Sequence, residues 1–301
     1  MRIRGYEAGD AGAAVELLDL ISASDARIRW RRLLAEDGVV AFVADDGGRV
    51  LGAALLGAAT DYRGQRAIGL GVAADARGRG IGTALAGVLV RADRAAGPEV
   101  VPVAMTMRDD LPDGLRFAER LGLQVYNHCT GWTITLDDPG PLWAAAQVAA
   151  AKSDVRLETT TVGESRARFV AAAAESLAGM PTDTPIDLEA FAANMPDHVV
   201  VLFAEDAEGA AGTCLIRQDG DTGGWHTSYT GVATRARRRG IARALKLGSF
   251  AAAAERGGTA MHGENDDRNV PMLALSAAVG MRRGLGYWSL VTDRLTEPWH
   301  S

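Results

Sequence analysis

Two glycine- and arginine-rich loops carry the residue types and spacing best suited to chemistry. Arg77-Gly78-Arg79-Gly80-Ile81-Gly82-Thr83 in the first half returns as Arg237-Arg238-Arg239-Gly240-Ile241-Ala242-Arg243 in the second. The offset is 160 residues and holds without a gap from Val72/Val232 to Leu85/Leu245. Each loop follows a short β-branched run, ending at Val72-Ala73 or Val232-Ala233, and precedes an Ala/Leu-rich helical stretch. Glycine lets backbone N–H groups approach an anion, and a helix start adds unpaired donors and the positive end of its dipole. The chemistry is that of gripping a phosphate. A dinucleotide loop needs G-x-G-x-x-G with an acidic residue about 20 positions on, and a P-loop needs G-x-x-x-x-G-K-[ST]. The first copy reads G-x-G-x-G, the second keeps only Gly240 of those glycines, and neither carries the Lys-Ser/Thr pair. What both share is Arg-x-x-Gly-x-Gly/Ala.

The elements that position these loops repeat too. The first half predicts a strand at 2–4, helices near 11–21 and 26–35, and a hairpin of 39–44 with 50–58. It continues with strand 67–72, the loop, helix 81–95, strand 100–107, a helix at 114–121 and strands from 123 to 136. The second half predicts the same order, with strand 225–232 before its loop, helix 241–256 after it, strand 259–263, helix 270–278 and final strands at 287–295. Asp137-Asp138-Pro139-Gly140-Pro141 breaks the pattern, and an Ala-rich helical stretch follows at 142–152. The expected division is an N-terminal domain at 1–138, a linker at 139–153 and a C-terminal domain at 154–301.

Bulk properties narrow the class. A chain of 301 residues suits two domains of about 150 residues each. Apolar residues make up 48% and charged residues 23%, a globular composition, and a net charge of −6 argues against general nucleic-acid binding. Cys129 and Cys214 fall at non-equivalent places in the two halves, which fits neither a disulfide framework nor a metal site. No apolar stretch approaches the ~20 residues of a membrane span, and residues 1–5 lead into no apolar signal region. A cytoplasmic protein without nucleic-acid, membrane or metal partners is the expectation.

The shared loop pattern resembles that of the GCN5-related N-acetyltransferase (GNAT) superfamily, whose loop lies between the fourth strand and the third helix. The second half continues the likeness with Asn265, Asn269, Met272-Leu273 and Val279-Gly280-Met281. The first half has Asp109-Asp110 and Leu121-Gly122-Leu123 at those places. The resemblance implies an α/β fold of two tandem GNAT-like domains. Each would be a mixed, mainly antiparallel sheet flanked by helices, with the fourth and fifth strands splayed around a cleft. It implies acetyl-CoA as co-substrate, its pyrophosphate on the amides of both loops. It further implies acetyl transfer to an amine, a base on the fourth strand, and an acid, often Tyr, on the fourth helix. The domains would pack as a pseudo-dimer in a monomer, or the chain would form a homodimer.

For this sequence the acid position falls on Ala118 and Ser276. Ser276 suits a hydrogen bond to a developing thiolate, or serves as an ordinary helix residue bonding its own backbone. Along strand 225–232, strict alternation would put His226, Ser228 and Thr230 on one face and Thr227, Tyr229 and Gly231 on the other. Ser228 matches the usual base position, and His226 is a base candidate on the same face, or a packing residue. His262, Glu264 and Asn265 add polar groups at the end of the fifth strand, Glu264 either serving the site or standing as a solvated loop carboxylate, the commoner case. The first-half strand, 67–72, has no ionisable side chain. Turnover is therefore expected in the C-terminal domain. The acceptor is expected to be a small amine, such as an amino sugar or secondary metabolite; Asp183, Asp187 and Glu189 would suit a cationic one, or singly are solvent-facing helix-start residues. The alternatives are a non-catalytic acyl-CoA-binding protein and the use of longer acyl donors, which depends on cleft depth.

Overall fold

The computed structural model describes residues 1–22, 26–58, 64–97, 100–177, 187–219 and 223–298. The chain divides into two compact units, one of Met1–Cys129 with Leu285–Ser301 and one of Thr130–Gly284.

In the first unit the strand order is β1 (Arg2–Gly5), β2 (Val40–Asp46), β3 (Arg49–Ala58), β4 (Arg66–Val72), β5 (Val103–Arg108) and β12 (Arg282–Thr292). Pairing is antiparallel from β1 to β4, parallel between β4 and β5, and antiparallel again between β5 and β12. Helices α1 (Ala11–Asp19) and α2 (Arg27–Ala35) cover one face, and α3 (Ile81–Ala95) and α4 (Pro112–Arg120) the other. Gly71 on β4 shows how closely α1 lies: an added Cβ would stand 1.9 Å from the Leu17 carbonyl oxygen. The core joins Leu18, Trp30, Leu55, Leu85 and Leu89 to Leu290 and Leu295 from the far end of the chain.

The second unit orders its strands β6 (Gln124–Thr135), β11 (Ala260–Asp266), β10 (Gly224–Val232), β9 (Gly209–Asp219), β8 (Val200–Asp206) and β7 (Arg156–Thr161). Helices α6 (Val162–Leu177) and α7 (Leu188–Ala193) pack on one face around Phe169, Phe203 and Tyr229. Helices α5 (Pro139–Lys152), α8 (Ile241–Glu255) and α9 (Val270–Ala278) pack on the other around Trp225, Leu245 and Phe250. Pro139 and Pro141 break the chain and then open α5, where Pro is tolerated because the first N–H groups lack helical partners anyway. Ala146, Ala149 and Ala150 are buried in the same core as α8.

Each unit has the expected α/β architecture, a mixed, mainly antiparallel set of strands flanked by helices, but the units are not the contiguous halves that the repeat suggests. The expected linker is α5, part of the second unit. The last strand of the repeat, β12, pairs with β5 and completes the first unit. Correspondingly, 130–138 belongs to the second unit, where the Leu136 amide donates to the Thr259 carbonyl and Thr130 bonds Asp267. Sequence similarity follows chain order, whereas strand pairing satisfies whichever edge is open. Among the described residues, no helix is long and apolar enough to cross a membrane.

Candidate active site

Both loops trace the same backbone path. Gly78 and Gly80 have φ of 74° and 77°, and Arg238 and Gly240 have 63° and 92°. Gly80 and Gly240 stand at the N-caps of α3 and α8, and no side chain caps either helix. The first N–H groups of each helix therefore lack an intrahelical acceptor, although the Arg243 amide already donates to the Gly240 carbonyl at 3.0 Å. A Cβ at Gly78 or Gly80 would meet nothing within 4 Å, so the space over the first loop is open. Arg238 keeps the left-handed conformation without glycine, a cost of about 1–2 kcal/mol. These features fit a diphosphate.

The arginines divide by role. Arg77 Nε donates to the Val72 carbonyl at 3.2 Å, and Arg237 Nε to the Val232 carbonyl at 3.4 Å. Arg237 also donates to the Ser176 carbonyl at 2.9 Å. They tie loop to strand. Arg235 and Arg239 share the Asp206 carboxylate at 2.9 and 2.8 Å and hold it well below the usual carboxylate range. Arg238 and Arg243 line the second cleft, whereas Arg79, Arg239 and Ala233 line neither. Val72, Arg77, Gly78, Gly80, Ile81, Gly82 and Thr83 line the first cleft. Val232, Arg237, Gly240, Ile241, Ala242 and Asn269 line the second, and Asn269 also caps α9 by accepting from the Met272 amide.

Each cleft opens where two parallel strands part. Among the described residues, β4 pairs β5 only at Arg66/Val103 and Ala67/Ala104, and β10 pairs β11 only from Gly224/Ala260 to His226/His262. The first cleft holds about 660 Å³ and the second about 440 Å³. Inside the first, Ile68, Leu70, Met105, Met107 and Ala118 are all apolar. β4 pairs β3 without interruption.

β10 differs. Its pairing with β9 shifts between Thr227 and Tyr229, so Ser228 is an extra residue in a β-bulge. The bulge reverses the alternation beyond it. Thr230 consequently does not share a face with His226: its hydroxyl lies 3.4 Å from Cys214 Sγ on the α8 side. Tyr229 takes the α6 side instead, edge-on to Phe169 and hydrogen-bonded to Ser176 and the Ala173 carbonyl. Burial raises the Tyr229 hydroxyl above its ordinary range, in keeping with a core aromatic.

Ahead of the bulge, His226 is 8% exposed. Its Nε2 lies 2.7 Å from Glu264 Oε2, and its Nδ1 lies 3.4 Å from Ser228 Oγ. Glu264 is not a solvated loop residue but a side chain on β11 with only 12% of its surface exposed. Burial works to raise its carboxyl, but His226, with Arg217 and His262, outweighs this and holds it below the ordinary value.

Ser276 is 0% exposed and does not line the cleft. It donates to Asn265 Oδ1 at 2.8 Å and accepts from Lys246 Nζ at 2.8 Å. Asn265 is thereby committed to this cluster and not to the cleft. Lys246, on α8, is 3% exposed, and burial pushes its ammonium down to about 8. Sequence reasoning missed it, although a signal existed: within Leu245-Lys246-Leu247 it replaces Ala86 of the first copy on an apolar helix. Asp187 caps α7 by accepting from the Ala190 amide, Glu189 lies in that helix's first turn, and Asp183 lies outside the described residues. Both cysteines are buried free thiols, and among the described residues no three His, Cys, Asp or Glu side chains converge as a metal site requires.

Two units, each with parallel strands parting around a cleft beside a glycine-opened helix, define a tandem α/β fold. The chain is a tandem GNAT-fold protein, and residues 15–123 match the Acetyltransferase (GNAT) family model. That match falls on the copy whose loop keeps all three glycines. A tandem GNAT protein from the clavulanic acid biosynthesis pathway shares the fold with a TM-score of 0.71 at 18% identity, over 97% of this chain and 98% of that one. A GCN5-related N-acetyltransferase from Sphaerobacter thermophilus gives 0.67 at 21% identity, over 97% and 96%. A glucosamine N-acetyltransferase region of a fungal multi-domain GH3 β-N-acetylglucosaminidase gives 0.70 at 14% identity, over 97% of this chain and 38% of that one. At these identities the likeness is one of fold. No curated protein matches the sequence.

Proposed function

We propose that the protein is an acetyl-CoA-dependent N-acetyltransferase acting on a small amine of the amino-sugar or secondary-metabolite class. Turnover belongs to the C-terminal unit, and both loops bind the CoA diphosphate. The observation that carries this reading is the His226–Glu264 pair at 2.7 Å, on the last paired rung of β10 and β11 before they separate, next to the second cleft but outside its lining. The equivalent stretch of β4 has no ionisable side chain between Ala67 and Val72.

Acetyl-CoA supplies the acyl group when bound. Amides of the second loop, with Arg238 and Arg243, hold its diphosphate. Glu264 accepts the Nε2 proton of His226, which leaves Nδ1 with a lone pair to receive the proton of an incoming amine. The Ser228 hydroxyl lies on that Nδ1 side. Ser276 has no acid role in this scheme, since its hydroxyl is buried and already donates to Asn265.

The test is to make Gly240→Glu and Gly80→Glu separately and follow CoA release against a panel of amines. Turnover should disappear in the first and persist in the second. Equal losses would overturn the division of labour. The buried, committed state of Ser276 favours a second reading, a non-catalytic acyl-CoA-binding protein. Calorimetric binding of acetyl-CoA without CoA release across the panel would establish it.

A further inference from the structure

The two clefts differ at their inner ends in a correlated way. In the C-terminal unit, Lys246, Asn265 and Ser276 fill the space between α8, β11 and α9 with a hydrogen-bonded polar cluster. By the offsets of the repeat, their counterparts are Ala86, Met107 and Ala118. All three polar side chains are thus replaced by apolar ones, and the cleft there is larger, about 660 against 440 Å³. Its inner wall is formed by Ile21, Ile68, Met105, Met107, Ala118 and Leu121. The arginines and aspartates of its lining, Arg77, Asp110, Asp113 and Arg120, belong to the loop, to the turn before α4 and to α4 itself. Neither strand wall carries a base for an amine. What remains is a diphosphate-binding loop at one end of a cleft and an apolar chamber at the other.

The geometry points to the N-terminal unit as a binding site for acyl-CoA thioesters whose acyl chain is longer than acetyl and apolar, the chain lying between Ile68, Met105, Met107 and Ala118. This rests on the loop reading above. Burial of each added methylene contributes about 0.8 kcal/mol, which is about fourfold in affinity. A polar acyl group gains nothing from such walls, because its own hydration would be lost without a partner.

The experiment is calorimetry on the full chain carrying Gly240→Glu, which leaves the first loop as the anion site, titrated with CoA, acetyl-CoA, butyryl-CoA and hexanoyl-CoA. The expected result is a Kd that falls about fourfold per methylene until the chamber is filled. In the same background, Ala118→Leu should keep CoA affinity and abolish the gain with length. The length series needs no change in the chamber, so it stands if that variant fails to fold. Equal or falling affinity from acetyl- to hexanoyl-CoA overturns the inference while leaving the loop reading intact. No binding of CoA or any thioester overturns both.

Discussion

Glu264 Oε2 meets His226 Nε2 at 2.7 Å across two adjacent parallel strands, 38 residues apart in sequence. The pair is nearly enclosed, with side-chain exposures of 12% and 10%. Enclosure makes the carboxylate depend on the ring, because a buried carboxylate without a partner loses its solvation without compensation.

His226→Ala should therefore have two effects. If the ring takes the amine proton, kcat should fall by about 10² or more. Stability should also fall, by about 3 kcal/mol, because Glu264 is left buried and unpaired. Glu264→Gln keeps the shape and should lower kcat less than the His226 variant. Steady-state kinetics and urea unfolding on the same preparations check both. An active His226→Ala variant would remove the base assignment.

Lys246 makes stability depend on alkaline pH. Its ammonium titrates near 8 in the folded protein against 10.5 when exposed. Between those values the unfolded chain binds more protons than the native one, so this residue makes stability rise with pH. Lys246→Met should be more stable than the parent at pH 7 by about 3 kcal/mol, a difference that should shrink as pH rises toward 10. Urea midpoints of the two proteins at pH 7 and pH 9.5 test this. A gap that stays constant with pH would show that the ammonium is not the source.

Arg238 serves the loop at the expense of the backbone. Arg238→Gly removes a side chain from a position with φ of 63° and should stabilise the protein by about 1 kcal/mol. The same change removes a cation from the cleft wall, so affinity for CoA at the second loop should weaken. Thermal unfolding and calorimetry should thus move in opposite directions.

The C-terminal strand serves the first unit. Removing residues 285–301 takes away β12 from β5, together with the buried Leu290 and Leu295. The first unit should unfold or become loose, with loss of CoA binding at the first loop. Amide exchange should show β4 and β5 losing protection before β8 and β9. The reverse order would overturn the division into these units.

The sequence by itself determined the two loops, the order of elements and the α/β fold. These rest on short-range physics. A glycine at Gly80 or Gly240 marks a left-handed turn, and the hydrophobic period marks helix or strand within a few residues. The helix at 270–278 is an example where the read and observed spans coincide. The register of β10 was not legible, because a bulge adds one residue without any local signature, and Ser228 displaced Thr230 from the face of His226. Glu264 read as a solvated loop residue because its ion pair spans two strands. Lys246 was missed in the sequence because burial is a property of the packed helix and not of the residue. The destination of β12 was likewise open, since any strand with the right alternation can complete a sheet. Only long-range packing chooses the edge, and it placed the end of the chain in the unit where the chain begins.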